Sequence, residues 1–160
     1  MTDERAELRP PPAAAASTGP VSNALIRVTR LHRARAQQLL RTVGLHVGQE
    51  LLLMHLWEAG PQRPTELMRV FDTDSASMTR SIQRLERAGL VSREPDPEDG
   101  RATRVRSTPA GFELRTVIEE LWADLEVLTT AGMSDRQRTE LLVQLGKAEQ
   151  SLIAGRQSAG

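Results

Sequence analysis

The sequence predicts a mostly α-helical domain with one small β-hairpin, and three observations support this fold class. Aromatic residues make up only 2 % of the chain and tyrosine is absent, whereas strands favour aromatic and β-branched residues. A length of 160 residues, with 39 % hydrophobic and 26 % charged residues, suits one globular domain with a modest core. Apolar residues recur at helical spacing along most of the chain and alternate only in one short region before residue 108.

The first part of the chain divides into a tail and two helices. Residues 1–20 contain a proline run and an alanine run and are predicted to form a disordered N-terminal tail. Over residues 21–46, apolar and arginine side chains follow helical spacing as far as Gly44, which predicts a long N-terminal helix. A second, unusually apolar helix is predicted over about residues 47–58 and ends at Gly60.

Residues 47–108 are predicted to form a helix-turn-helix followed by a wing. Pro64 suits the first position of a short third helix. Asp74 is a good N-cap for a fourth helix, and Gly89 is placed as its C-terminal stop. Two short strands follow and form the hairpin that we call the wing, over residues 90–94 and 104–107.

Residues 109–154 are predicted to form two C-terminal helices, over 109–131 and 134–153. Together with the N-terminal helix they carry more apolar surface than a monomer of this size readily covers, which predicts a homodimer, although packing within one chain is the alternative. The apolar residues that support this prediction are Leu25, Val28, Leu31, Leu39, Leu40, Leu141, Leu142, Val143, Leu145, Leu152 and Ile153.

Charge is segregated along a chain whose net charge is zero. Residues 21–47 contain five arginines and no acidic residue, whereas residues 109–153 contain eight acidic and four basic residues. A neutral molecule can therefore present a basic face, so the zero net charge does not exclude a nucleic-acid partner.

The fourth helix has one apolar face and one face suited to DNA. Met78, Ile82 and Leu85 lie on the side predicted to be buried. The opposite side presents arginine, glutamine and small polar residues, and a helix of this size fits the major groove. A solvated, arginine-rich surface helix is the alternative. The candidate DNA-binding residues on this helix are Ser75, Ser77, Thr79, Arg80, Gln83 and Arg84.

The wing adds a second arginine-bearing element. Arg101 lies near its tip and Arg104 on its return strand, where arginine can enter a narrow minor groove. Asp99, two residues before Arg101, is expected to hold the guanidinium of Arg101 in position. A surface turn with a local ion pair is the alternative reading, but the helix-then-wing order favours DNA binding.

These residues together resemble the MarR family of transcriptional regulators. The resemblance covers roughly residues 25–153 and is carried by Thr79-Arg80, Leu85-Glu86, the segments 89–93 and 96–101, and Thr108-Pro109-Ala110-Gly111. The chain departs from the family pattern at Arg63, where the family has a Thr or Ser cap, and at Gln62 and Ser81, where apolar residues are usual.

The resemblance implies a homodimer in which the N-terminal helix and the last two helices interleave, and each winged helix binds half of a pseudo-palindrome. It places Thr79, Arg80, Gln83 and Arg84 in the major groove and Arg101 in the minor groove. Many members of the family bind small aromatic or phenolic effectors in a cleft between the dimerisation helices and the winged domain, and the candidate effector-binding residues here are His32, His46 and Trp57.

Several function classes are not expected. The chain has no cysteine and only three histidines, none paired at metal spacing, so we expect no cofactor, no metal site and no thiol chemistry. No phosphate-binding loop or catalytic constellation is present, so we expect no enzyme. No apolar run approaches the ~18 residues of a membrane span, so we expect a cytoplasmic protein that does not bind membranes.

The sequence therefore predicts a double-stranded DNA-binding transcriptional regulator that acts as a repressor, and the resemblance implies its release from the operator by a small-molecule effector. A winged-helix protein-interaction module, a small-molecule binding protein and a transcriptional activator remain alternatives.

Overall fold

The computed structural model describes residues 17–157, the last two by their backbone alone. Most of this region is helical and its two strands form one hairpin, which confirms the predicted fold class. In chain order the elements are α1 (Pro20–Arg41), α2 (Gln49–Ala59), α3 (Pro64–Val70), α4 (Ser75–Arg87), β1 (Val91–Pro95), β2 (Thr103–Ser107), α5 (Pro109–Glu113), α6 (Arg115–Thr129) and α7 (Asp135–Gln157). Most of the predicted tail, residues 1–16, lies outside the described residues.

Helices α3 and α4 form the predicted helix-turn-helix. Asp74 caps α4, because its carboxylate accepts the backbone N–H of Ser77 at 2.8 Å. Gly89 follows the last helical turn with φ of +73°, a conformation that glycine adopts without steric cost. Both helix boundaries that the sequence predicted for α4 are therefore confirmed.

The wing is an antiparallel two-stranded hairpin in which Val91 pairs with Ser107 and Pro95 with Thr103. Gln62, just before α3, adds one further bridge to the hairpin. Its N–H donates to the carbonyl of Val105 at 3.0 Å, and its carbonyl accepts the N–H of Val105 at 2.8 Å. The polar side chain of Gln62 does not prevent this pairing, because the pairing uses only backbone atoms.

One core joins the helix-turn-helix, the wing and their neighbouring helices. Leu40 belongs to it and is only 3 % exposed, so the expectation that Leu40 lies on a dimerisation surface is wrong. The chain turns back at Leu45 directly after α1, which brings this end of the helix against α2 and buries it. The core residues are Leu40, Leu45, Leu52, Leu53, Leu56, Leu67, Met78, Ile82, Leu85, Val91, Val105 and Ile118.

The helix predicted over residues 109–131 is two helices, α5 and α6. The interruption lasts one residue, Leu114, which keeps right-handed helical dihedral angles and packs against the core. Residues 126–157 belong to a second compact unit, which contains the end of α6 and all of α7.

Thr108 fixes the start of α5 against the end of α4. Its N–H donates to the carbonyl of Leu90 at 3.0 Å, and its hydroxyl donates to the carbonyl of Gly89 at 2.6 Å. The same hydroxyl accepts the N–H of Gly111 at 3.1 Å. Gly111 lies so close to the backbone of Leu90 that a Cβ atom would overlap its carbonyl oxygen. The lack of a side chain at Gly111 therefore allows this close approach.

Candidate nucleic-acid interface

Helix α4 presents a continuous polar face to solvent. Met78, Ile82 and Leu85 are buried beneath it, as the sequence predicted. Among the described residues, the side chain of Arg84 has no hydrogen bond or ion pair within the protein, so it is available to a ligand. The predicted DNA-binding residues that lie exposed on this face are Ser75, Thr79, Arg80, Gln83 and Arg84, whereas Ser77 is half-buried.

A short hydrogen-bonded chain at the start of α4 orients Arg80. The carboxylate of Asp74 accepts the hydroxyl of Ser77 at 2.8 Å, and the Ser77 oxygen accepts Nη2 of Arg80 at 3.0 Å. The hydrogen bonds from Ser77 also lower the pKa of the Asp74 carboxyl, which keeps it ionised. Ser77 thus positions a neighbouring side chain, a role that the sequence analysis missed. The sequence feature that could have indicated this role is the spacing of three residues from Asp74 to Ser77 and from Ser77 to Arg80, which places neighbouring side chains on one helix face.

The tip of the wing is shaped by Asp99. Its carboxylate accepts the backbone N–H of Arg101 at 3.1 Å, and its carbonyl accepts the N–H of Ala102 at 2.8 Å. We expected the carboxylate of Asp99 to hold the guanidinium of Arg101, but it binds the backbone instead. The short Asp side chain satisfies the nearest N–H of its own turn, as in an Asx-turn. Arg101 is left exposed at the tip, without a side-chain partner among the described residues.

Arg104 lies further from the tip than Arg101 and is half-buried. Its Nη2 atom lies 3.0 Å from the carboxylate of Glu94, which also lies 3.4 Å from Nη1 of Arg106. The side chains of Arg104 and Glu94 are still 28 % and 27 % exposed, and an ion pair that solvent reaches contributes little to stability, so a phosphate could replace the carboxylate. Arg104 therefore remains a candidate for contacting the phosphate backbone of a nucleic acid rather than for entering a groove.

A second charged pair joins the wing to α3. Nε of Arg63 lies 2.5 Å from Oδ2 of Asp96, whose side chain is only 4 % exposed. This hydrogen bond is the main reason why the pKa of Asp96 is lowered to about 2. In the sequence, Arg63 is a departure from the family pattern and Asp96 is part of a motif, but no local pattern pairs the two residues.

A cavity of about 180 Å³ lies between α1, α2 and α6. Of the three residues predicted for an effector site, His32 lines this cavity. His46 and Trp57 do not: Trp57 packs against the core and donates from Nε1 to the hydroxyl of Ser107 at 3.2 Å. The lining residues are Thr29, His32, Arg33, Ala36, Leu39, Leu40, Val47, Glu50, Leu51, Leu121, Trp122 and Leu125.

The lining of the cavity is mostly apolar, and Glu50 and Arg33 are among its few polar residues. Glu50 is buried there, and its carboxylate accepts the N–H of Gly48 at 2.7 Å. Burial raises the pKa of Glu50, while hydrogen bonds from backbone N–H groups and, to a smaller extent, the positive charge of Arg33 oppose this shift. Such a site suits a small, mostly apolar molecule that carries a few polar groups. Trp122, 38 % exposed, offers an aromatic surface beside it.

Between residues 17 and 157, no group of three or more histidine, aspartate or glutamate side chains is arranged to bind a metal ion. None of the helices in that region combines the length and the apolar character of a membrane span.

Comparison with known proteins agrees with this geometry. The MarR family model matches residues 45–103, the region from the start of α2 to the wing. The chain is 28 % identical to the HTH-type transcriptional repressor IacR of Pseudomonas putida over 113 residues, which cover 71 % of this chain and 68 % of IacR.

Solved structures share the fold. A mutant MarR from E. coli complexed with operator DNA superimposes with a TM-score of 0.78 at 23 % identity, covering 86 % of this chain and 99 % of that one. Bordetella bronchiseptica BpsR, whose DNA binding is regulated by 6-hydroxynicotinic acid, superimposes with a TM-score of 0.76 at 24 % identity, covering 87 % and 98 %. The winged helix-turn-helix region of this chain therefore matches the MarR family model, and the chain is similar to a transcriptional repressor over 71 % of its length.

Proposed function

We propose that this protein is a transcriptional repressor that binds a pseudo-palindromic operator in double-stranded DNA as a homodimer and is released by a small-molecule effector. The observation that carries the proposal is the exposed face of α4, together with the free guanidinium of Arg101 at the tip of the wing. We assign it no enzymatic activity, and its site of action is the cytoplasm.

The two basic elements suit two grooves of one duplex. The polar face of α4 matches a recognition helix, whose N-terminal residues approach the base edges of the major groove. Arginine pairs with two acceptors of guanine there, which makes Arg80 and Arg84 the candidates for reading bases. Arg101 on the projecting hairpin suits the minor groove, whose negative potential is greatest where the groove is narrow.

Exposed apolar residues at both ends of the chain support the homodimer. Two of the residues predicted for a dimerisation surface are exposed on α1, Val28 and Leu31. Five more are exposed on α7, where few apolar side chains find cover within the protomer: Leu142, Val143, Leu145, Leu152 and Ile153. Apolar surface of this extent is typical of an interface between subunits. A two-fold symmetric dimer presents two copies of α4, which explains a preference for a palindrome.

A selection of duplexes from random and genomic DNA tests the DNA-binding function. The purified protein is mixed with the library at physiological salt, with excess non-specific competitor. We expect enrichment of a pseudo-palindrome whose half-sites lie about one helical turn, ~34–36 Å, apart. A folded dimer that enriches no sequence would contradict the proposal and favour a protein-interaction module.

The two tryptophans allow a direct test of the effector cavity, because only Trp122 lines it. In the variant Trp57→Phe, we expect 6-hydroxynicotinic acid, benzoate or phenol to change the fluorescence of Trp122. The same compound should weaken operator binding by about 5- to 150-fold, the usual range of allosteric coupling. The matched control is Trp122→Phe, in which Trp57 should not respond. A response from Trp57 alone would place the ligand elsewhere.

A further inference from the structure

We propose that the ion pair between Arg63 and Asp96 fixes the orientation of the wing relative to the helix-turn-helix, so that both are positioning residues for the contact of Arg101 with DNA. The inference rests on the proposed function, because it concerns the same DNA-binding surface.

The pair joins two elements that are distant in sequence. Arg63 directly precedes α3, and Asp96 directly follows the last residue of β1. The contact between Nε and Oδ2 measures 2.5 Å, with the side chain of Asp96 only 4 % exposed and that of Arg63 35 % exposed. A charge-assisted bond to a shielded carboxylate is stronger and less screened by salt than a bond between exposed groups.

Asp96 also shapes the loop that carries Arg101. Its second carboxylate oxygen accepts the N–H of Glu98 at 2.8 Å, and its own N–H donates to the carbonyl of Ala102 at 3.0 Å. Asp96 therefore forms hydrogen bonds both within this loop and with Arg63. A change at Asp96 should reach Arg101 through this loop, although the two side chains do not bind each other.

The wing needs such an attachment near its tip. A two-stranded hairpin is marginally stable by itself. The bridge between Gln62 and Val105 holds β2 close to the start of α3. Arg63 is the next residue after Gln62. Its ion pair with Asp96 attaches the end of β1 that lies nearest the tip of the wing. Two successive residues before α3 thus attach to both strands of the wing, and losing one attachment leaves the tip free to pivot about the other.

Operator binding by single and double variants tests the inference. Asp96→Asn and Arg63→Gln should each weaken binding to the selected duplex about tenfold, the scale of one charged hydrogen bond. In a protein that already carries Arg101→Ala, the same substitutions should have little further effect, because the contact that they position is gone. Residues that act independently would instead give additive losses.

The controls separate positioning from loss of the fold. Arg115→Gln breaks an exposed ion pair with Glu119 on α6 and should leave operator binding unchanged. Thermal unfolding of each variant shows whether it is folded. If Asp96→Asn does not fold, Arg63→Gln carries the test, because Arg63 is partly exposed.

Two results would overturn the inference alone: wild-type affinity in the folded Asp96→Asn and Arg63→Gln variants, or losses as large in the Arg101→Ala background as in the wild type. A wild-type protein that binds no duplex would overturn the proposed function itself, and the positioning role with it.

Discussion

Replacing Arg80 and Arg84 together by alanine will reduce operator affinity about a hundredfold, because each arginine that reads a base contributes about 1–3 kcal/mol. Both side chains are exposed and lie on one face of α4, one turn apart. Their removal should therefore change the free energy of unfolding by less than about 0.5 kcal/mol. Fluorescence anisotropy with the selected duplex and with point-mutated duplexes measures the loss and the change in base preference.

A matched double variant tests whether the loss is specific to α4. Arg115→Ala with Arg136→Ala removes the same charge from exposed ion pairs on α6 and α7. We expect it to bind nearly as the wild type does. Equal losses in the two double variants would show that only total charge matters. A loss that is uniform over all duplexes would identify phosphate contacts rather than base reading.

Replacing Gly111 by alanine will destabilise the folded protein by about 1–3 kcal/mol, the usual cost of an added methyl group in closely packed structure. The new Cβ atom would overlap the carbonyl oxygen of Leu90 and crowd the hydroxyl of Ser107. The neighbour is backbone that the hydrogen bonds of Thr108 hold in place, so it cannot move aside cheaply. Urea-induced unfolding, followed by circular dichroism, measures the change.

Gly155→Ala is the matched control, since no atom lies within 4 Å of the Cβ atom that it would add. It lies near the end of α7, where alanine favours the helix more than glycine does, so we expect no loss of stability and a gain of at most about 1 kcal/mol. If Gly111→Ala is as stable as Gly155→Ala, then α5 does not approach Leu90 as closely as described.

Local sequence signals were sufficient to predict the recognition helix and the wing. The spacing of Met78, Ile82 and Leu85 identified the buried face of α4 before any contact was known. Asp74 and Gly89 marked its two ends, because capping and positive φ depend on residue type. These features involve residues within a few positions of each other, which a single sequence can show.

Features that depend on packing could not be predicted in the same way. The partner of Asp96 is Arg63, 33 residues earlier, and no local pattern connects the two. The sequence likewise could not distinguish Trp57 from Trp122 as the cavity residue, because both are indole side chains among apolar residues on predicted helices. The packing of α1 against α2 and α6 decides this, because it places Trp57 against the core and Trp122 at the cavity.

Thr108 has a consequence for how the length of the wing can vary. Thr108 donates hydrogen bonds to the carbonyls of both Gly89 and Leu90. The residues just before β1 and just after β2 are therefore held together at the end of the wing opposite its tip. Extra residues at the tip would then lengthen a loop whose ends stay together, at about 0.6 kcal/mol for each doubling of its length. The reach of the wing along DNA can therefore evolve by insertion or deletion, while the helices that surround the core keep their places.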